Sequence, residues 1–203
     1  MGDQCQICIA GGGPAGLMLG VLLARAGVAV TVLEKHADFL RDFRGDTIHP
    51  STMQVLHELG WLDDFLQLPH NPVRKLGGRF GDQAVMVADF SHLPVAAPFI
   101  AMMPQWDFLN FLARKGSAYP TFTLRMRTQA RDLFVENGRI AGIKADGPDG
   151  PVDIRSGLVV AADGRTSVLR DASGLPNEEL GAPMDVLWFR LPAHPGDTDE
   201  TQG

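Results

Sequence analysis

Two hydrophobic periods alternate along the chain. Gln4–Ala10 (QCQICIA) predicts a buried strand. Pro14–Ala26 (PAGLMLGVLLARA) predicts a helix that is apolar on most faces and so covered by protein, and Gly27 stops it. Val28–Leu33 (VAVTVL) is rich in β-branched residues and predicts a second buried strand. Strand, helix and strand within about 30 residues make a parallel βαβ unit. Further on, Pro50–Leu59 and Leu62–Leu66 predict helices separated by Gly60. Val73–Phe90 predicts extended chain, turning as a hairpin near Gly81-Asp82. Ile100–Met103 predicts a short strand and Gln105–Lys115 a helix ending at Gly116. Thr121–Arg125 and Arg131–Glu136 follow as strands. Asn137-Gly138 is the strongest hairpin signal in the chain and returns it as Arg139–Ala145. Gly147–Pro151 (GPDGP) predicts a second turn, leading through Val152–Arg155 to a buried strand at Leu158–Ala162. Thr166–Ala172 predicts a short helix and Met184–Leu191 one more strand. The polar, Pro/Gly-rich Pro192–Gly203 predicts a flexible tail.

The turn between the first strand and the first helix reads GGGPAG, in which Gly11, Gly13 and Gly16 form GxGxxG. Gly11 permits the tight turn, Gly13 lets a pyrophosphate approach the backbone, and Gly16 allows close helix–strand packing. The phosphates would lie at the positive end of the helix that begins at Pro14-Ala15. Glu34 closes the second strand, about 20 residues after the glycines, where a carboxylate accepts hydrogen bonds from a ribose diol. Lys35 follows it. The glycines alone are a weak signal. Strand, glycines, apolar helix, strand and acid in this order specify a dinucleotide site, without separating a flavin from a nicotinamide dinucleotide.

Composition narrows the picture. The 203 residues are 45 % hydrophobic and 21 % charged, which fits an ordinary globular domain. Gly 23 and Pro 14 favour many turns over a helical bundle. Eighteen Lys+Arg against 24 Asp+Glu give a net charge of −6, which speaks against nucleic acid as a partner. No stretch reaches the ~18 apolar residues that a membrane helix needs. The two cysteines, Cys5 and Cys8, have CxxC spacing inside a strand. Residues three apart in a strand point to opposite faces, so buried strand cysteines are expected rather than a redox or metal pair. Free thiols and an N-terminus without a basic n-region point to the cytoplasm. The six histidines show no metal-ligand spacing, so no metal is expected.

Four stretches carry a resemblance: IAGGGPAGLMLGVLLARAGVAVTVLEK (9–35), RGDTIHPSTMQVLHELG (44–60), MPQWDFLNFL (103–112) and VVAADGRTSVLRDASG (159–174). The chain resembles the N-terminal part of the class A flavoprotein monooxygenases, the aromatic-ring hydroxylases built like p-hydroxybenzoate hydroxylase. The resemblance implies an α/β fold: a Rossmann-like FAD/NAD(P)-binding βαβ domain with a mixed sheet and β-hairpin insertions. It implies FAD as cofactor, NADH or NADPH as co-substrate, and hydroxylation of a small, phenol-like aromatic substrate with O2. By the same resemblance Arg44 lines the FAD site, Gln105 contacts the ribityl chain, and Asp163-Gly164 lies near the pyrophosphate and is linked to reduced nicotinamide binding. On their own these residues read as a solvated arginine, a helix-start residue and a common Asp-Gly turn. Arg165 and Arg170 either serve the same site or pair with nearby acids. His49 either faces the flavin or serves the turn before Pro50.

The family also carries a later FAD motif, a Gly-Asp followed by Ala-Ala-His or similar. Gly45-Asp46, Gly81-Asp82 and Gly196-Asp197 have other surroundings. The expectation is therefore a chain lacking the C-terminal part of the family fold. Residues 1–180 would form the FAD-binding domain, with 73–103 beginning a substrate-side segment and 181–203 beginning a substrate-domain sheet. Two alternatives stand beside the monooxygenase: a non-catalytic FAD- or nucleotide-binding fragment, and another FAD oxidoreductase of the superfamily. No Cys pair follows Glu34 and no second GxGxxG is present, which disfavours a disulfide reductase.

Overall fold

The computed structural model describes residues 3–40, 45–178, 181 and 192. In chain order the elements are β1 (Asp3–Ala10), α1 (Pro14–Arg25), β2 (Val30–Leu33), β3 (Thr47–Ile48), α2 (Pro50–Glu58), α3 (Leu62–Leu66) and β4 (Asn71–Val73). They continue as β5 (Lys75–Phe80), β6 (Gln83–Asp89), β7 (Ile100–Met102), α4 (Gln105–Gly116), β8 (Phe122–Arg125), β9 (Gln129–Glu136), β10 (Arg139–Gly147), β11 (Gly150–Ala161) and α5 (Val168–Ser173). The chain divides into two compact units, residues 1–40 with 108–183, and residues 41–107 with 184–203.

The first unit is built on a six-stranded sheet of order β8-β2-β1-β11-β10-β9. β8, β2, β1 and β11 are parallel, whereas β10 and β9 run antiparallel as a meander. The register aligns Ala10 with Leu33 and with Ala161, and Leu33 with Arg125, so the carboxyl ends of four strands line up. A crevice beyond such ends is where open α/β sheets bind ligands. Ile9 and Val32 face α1, which seats Gly20 so closely that a Cβ there would come within 2.6 Å of Val32 Cγ2. The alternate residues Cys8, Ala10 and Leu33 face the opposite way and join Leu133, Ile143, Ala145, Ile154 and Leu169 in one buried cluster. Period-two alternation of strand side chains thus divides the apolar residues of β1 and β2 between two covered faces.

The second unit holds a three-stranded sheet of order β3-β7-β4 and the separate hairpin β5-β6. α2 buries Met53 and Leu56, and α3 buries Leu62 and Phe65. The expected turn at Gly81-Asp82 is present, with Gly81 at φ +62°.

The other hairpin is also as the sequence predicts. Asn137 and Gly138 both have positive φ, +52° and +74°, as a type I′ turn requires. Two readings are corrected. The expected strands Val152–Arg155 and Leu158–Ala162 are one twelve-residue strand, β11, because its first half pairs with β10 and most of its length with β1. Cys5 and Cys8 share a face rather than opposing each other, since both pack against the same cluster. The cause is a bulge. The N–H groups of Gln6 and Ile7 both donate to the carbonyl of Ala29, at 2.9 and 3.1 Å, so two residues of β1 occupy one position of the ladder. The expected strand Met184–Leu191 and the tail after it lie outside the described residues, Pro192 aside.

Candidate functional site

In the first unit the chain leaves β1 at Ala10 and turns at once through the glycines. Gly11 has φ +107°, and a Cβ there would overlap the carbonyl oxygen of Ala162. A Cβ on Gly12 would sit 2.8 Å from Glu34 Cβ, and one on Gly16 would overlap the carbonyl oxygen of Gly11. Gly13 differs from all three. It has φ −77° and ψ −177°, which any residue adopts, and a Cβ built on it meets no atom of the described residues within 4 Å. Among the described residues nothing requires a glycine at Gly13, and the space beside it is open.

Gly13 is also the N-cap of α1, and among the described residues no side-chain hydrogen bond caps this end. Pro14 takes the first helical position, where its missing N–H is no loss, and Pro14 and Ala15 are exposed. First-turn N–H groups have no partner inside a helix and carry the positive end of its dipole. The turn is thus a cradle of backbone donors beside open space, suited to a pyrophosphate.

Glu34 is only 7 % exposed at the end of β2. Its Oε2 accepts from the N–H of Gly12 at 3.2 Å and its Oε1 from the N–H of His36 at 2.9 Å. The carboxylate is therefore locked beside the glycine turn in one orientation, the arrangement a ribose diol needs. Lys35 next to it is exposed.

The stretch after β11 lies against the same turn. The N–H of Ala162 donates to the carbonyl of Ala10 at 2.8 Å, and Gly11 abuts the backbone of Ala162 and Asp163. The Asp163 carboxylate is turned onto α5. It accepts from the Ser167 hydroxyl and from the N–H groups of Val168 at 2.9 Å and Leu169 at 3.4 Å. Ser167, the N-cap, accepts from the N–H of Arg170 at 3.0 Å. Asp163 thus builds the helix start through its side chain, while Gly164, exposed at φ +95°, turns the chain. Arg170 pairs with Asp171 at 3.0 Å. Removing the Asp163 carboxylate by Asp163→Ala is expected to destabilise this unit by about 1–2 kcal/mol, the scale of a lost helix cap. A shift in the urea midpoint checks it.

In the second unit, Gln105 opens α4 and is held from both ends. Its N–H donates to Asp46 Oδ1 at 3.3 Å, and its Nε2 donates to the carbonyl of Gly45 at 3.4 Å. Asp46 is 7 % exposed, and its carbonyl accepts from the N–H of Met103 at 2.9 Å. Gly45 has φ +70° and lies directly under Gln105 Nε2. Asp46, His70, Met102 and Met103 line an open cleft of about 520 Å³ in this unit. Arg44 lies outside the described residues.

Two positions escaped the sequence reading. Gly12 is as constrained as its neighbours, and the run of three glycines was the available signal. Asp46 acts as the acceptor for the start of α4, 59 residues away in the chain, and no local signal reports such a pairing.

A family model described as an FAD binding domain matches residues 4–201. A 6-methylpretetramide 4-monooxygenase from Streptomyces rimosus is 30 % identical over 201 residues, covering 95 % of this chain and 46 % of the relative. A 3-(3-hydroxy-phenyl)propionate/3-hydroxycinnamic acid hydroxylase from Klebsiella pneumoniae is 30 % identical over 187 residues, covering 88 % of this chain and 32 % of its own. Among solved structures, p-nitrophenol 4-monooxygenase from Pseudomonas putida superimposes with a TM-score of 0.74 at 24 % identity, over 86 % of this chain and 45 % of that one. An anhydrotetracycline hydroxylase from Streptomyces rimosus gives 0.72 at 27 % identity, over 87 % and 35 %. The chain therefore spans less than half the length of these relatives. No helix among the described residues is long and apolar enough to cross a membrane. With residues 4–201 matched by its model, the chain belongs to the FAD-binding domain family, among relatives that are monooxygenases and hydroxylases.

Proposed function

We propose that the chain is the FAD-binding part of an FAD-dependent monooxygenase that hydroxylates a small aromatic substrate with NADH or NADPH and O2. The observation that carries this reading is the pairing of open space at Gly13 with the locked carboxylate of Glu34 at the carboxyl edge of the sheet. Backbone groups of Gly11, Gly13, Pro14, Ala15 and Gly16 surround the pyrophosphate, and the start of α1 offsets its charge. Glu34 accepts from the ribose diol and Lys35 stands beside it. Arg44, Gln105, Asp163 and Gly164 take the roles that the family resemblance gives them, with Asp163 contributing through the backbone turn that its side chain stabilises. When bound, the flavin supplies the redox chemistry between reduced nicotinamide, O2 and substrate, while the protein binds and orients it. Residues 1–180 serve as the FAD-binding part, 73–103 begin the substrate side, and 181–203 begin the substrate-domain sheet. Free thiols fit a cytoplasmic setting.

Titration with FAD, followed by flavin absorbance and fluorescence, tests the binding. A saturable flavin complex is expected, and a chain that takes up no FAD overturns the reading. Glu34→Ala is expected to weaken binding by about 1–3 kcal/mol, the scale of hydrogen bonds to a charged group. Equal affinity would place the ribose elsewhere. NAD(P)H oxidation stimulated by a phenol separates a turning-over oxygenase from a fragment that only binds.

A further inference from the structure

Asp46 grips the corner before α4 from two sides. Its main-chain carbonyl accepts from the N–H of Met103 at 2.9 Å, and its Oδ1 accepts from the N–H of Gln105 at 3.3 Å. Pro104, between them, has no N–H to offer. Both N–H groups of the corner therefore end on one residue, and that residue is buried. A carboxylate at this place also suits the positive end of α4. The side chain of Gln105 is held as well. Its amide meets the carbonyl of Gly45 at 3.4 Å. A carbonyl oxygen only accepts, so the amide turns its nitrogen, Nε2, toward Gly45. That leaves the amide oxygen, Oε1, as the end offered to a ligand. Gly45 has φ +70°, and a Cβ on it would overlap Gln105 Nε2, so only glycine leaves the amide where it is. Asp46, Met103 and Pro104 also form part of the wall of the cleft of about 520 Å³, so the corner borders open space.

We propose that Asp46 is a positioning residue for flavin binding, which together with Gly45 fixes Gln105 so that its amide oxygen accepts from a hydroxyl of the ligand. This rests on the proposed function, in which the ligand is FAD and the hydroxyl belongs to its ribityl chain. The two residues divide the task. Asp46 sets where α4 begins and so where the Gln105 backbone stands. Gly45 sets which end of the amide is used up within the protein. An outward acceptor matches a hydroxyl and mismatches a phosphate or a carbonyl, which only accept. Gln105 held in this way thus selects a sugar alcohol, whereas the backbone N–H groups of the glycine turn select the pyrophosphate.

The test titrates the purified chain and its variants with FAD and, separately, with ADP, the part of FAD that lacks the ribityl chain and the ring. Urea midpoints follow the fold. Asp46→Ala and Gly45→Ala are each expected to lower FAD affinity about tenfold, the worth of one hydrogen bond, and to leave ADP affinity unchanged. A general weakening of the fold would not separate the two ligands. Asp46→Asn, whose amide oxygen still accepts from the Gln105 N–H, is expected to restore FAD affinity. Gln105→Leu is expected to match Asp46→Ala, and the double variant to lose no more than either, because both remove one shared interaction. Gly45→Ala pushes the Gln105 amide aside without altering Asp46, and it carries the test if Asp46→Ala does not fold. Equal losses for FAD and ADP, additive losses in the double variant, a loss in Asp46→Asn as large as in Asp46→Ala, or unchanged FAD affinity in a folded Asp46→Ala or Gly45→Ala overturns this role while the proposed function stands. A chain that takes up no FAD overturns the proposed function, and this role with it.

Discussion

Gly13→Val is expected to leave the domain folded and to remove FAD binding. The backbone at Gly13 is extended, φ −77° and ψ −177°, which valine adopts without strain. A Cβ there meets no atom of the described residues within 4 Å, so they give the unliganded chain no steric reason to refuse it. The valine methyls instead fill the space in front of the first turn of α1, where a pyrophosphate must approach the backbone within hydrogen-bonding distance. Lost donors and an overpacked site together predict a loss of about 3 kcal/mol or more, roughly a hundredfold in affinity. The urea midpoint checks the fold and FAD titration checks the site. A folded variant with unchanged FAD affinity would show that the phosphates do not use this turn.

Gly16→Val reverses that pattern and is expected to destroy the fold along with the site. A Cβ on Gly16 would overlap the carbonyl oxygen of Gly11, with Ile9 Cγ2 only 3.3 Å away. Neither neighbour is free to give way. Gly11 is fixed by its N–H bond to the carbonyl of Leu33 at 2.8 Å, and Ile9 is fully buried. Relief requires α1 to lift off β1, which exposes Leu17 and Val21, both fully buried. The expected cost is about 3–5 kcal/mol, the range for severe core clashes, against a total stability of only about 5–15 kcal/mol for a domain. Circular dichroism with urea denaturation checks it. If Gly16→Val kept native stability and lost only FAD, the glycine would be acting at the ligand and not at the helix–strand contact.

These two substitutions separate roles that one motif merges. GxGxxG announces three glycines with equal weight, yet the geometry gives them different reasons. Gly11 and Gly16 answer to the protein's own backbone, whereas no described residue constrains Gly13. Gly12, outside the motif's fixed positions, is constrained as well, by the side chain of Glu34. Glu34 was legible because its distance from the glycines follows from the length of a helix and a short strand. The hairpin at Asn137-Gly138 was legible because its two positive φ angles suit those residues. Asp163 was legible as a position and not as a contact. Its neighbourhood to Gly11 depends on β11 pairing beside β1, while the direction of its carboxylate depends on the short helix that it caps.

What the sequence determined by itself is local. It set the βαβ unit, the turn that must contain glycine, the acid at the end of β2 and the hairpin turns, since each follows from backbone sterics and side-chain periodicity within a few residues. What only the tertiary structure decided rests on partners distant in the chain. β11 is one strand because it pairs with β10 along one stretch and with β1 along another. Asp46 reaches the start of α4 because the fold closes a long loop. Cys5 and Cys8 face the same way because two N–H groups of β1 compete for the Ala29 carbonyl across the sheet. Periodicity along a strand assumes a regular ladder, and only the neighbouring strand determines whether the ladder is regular.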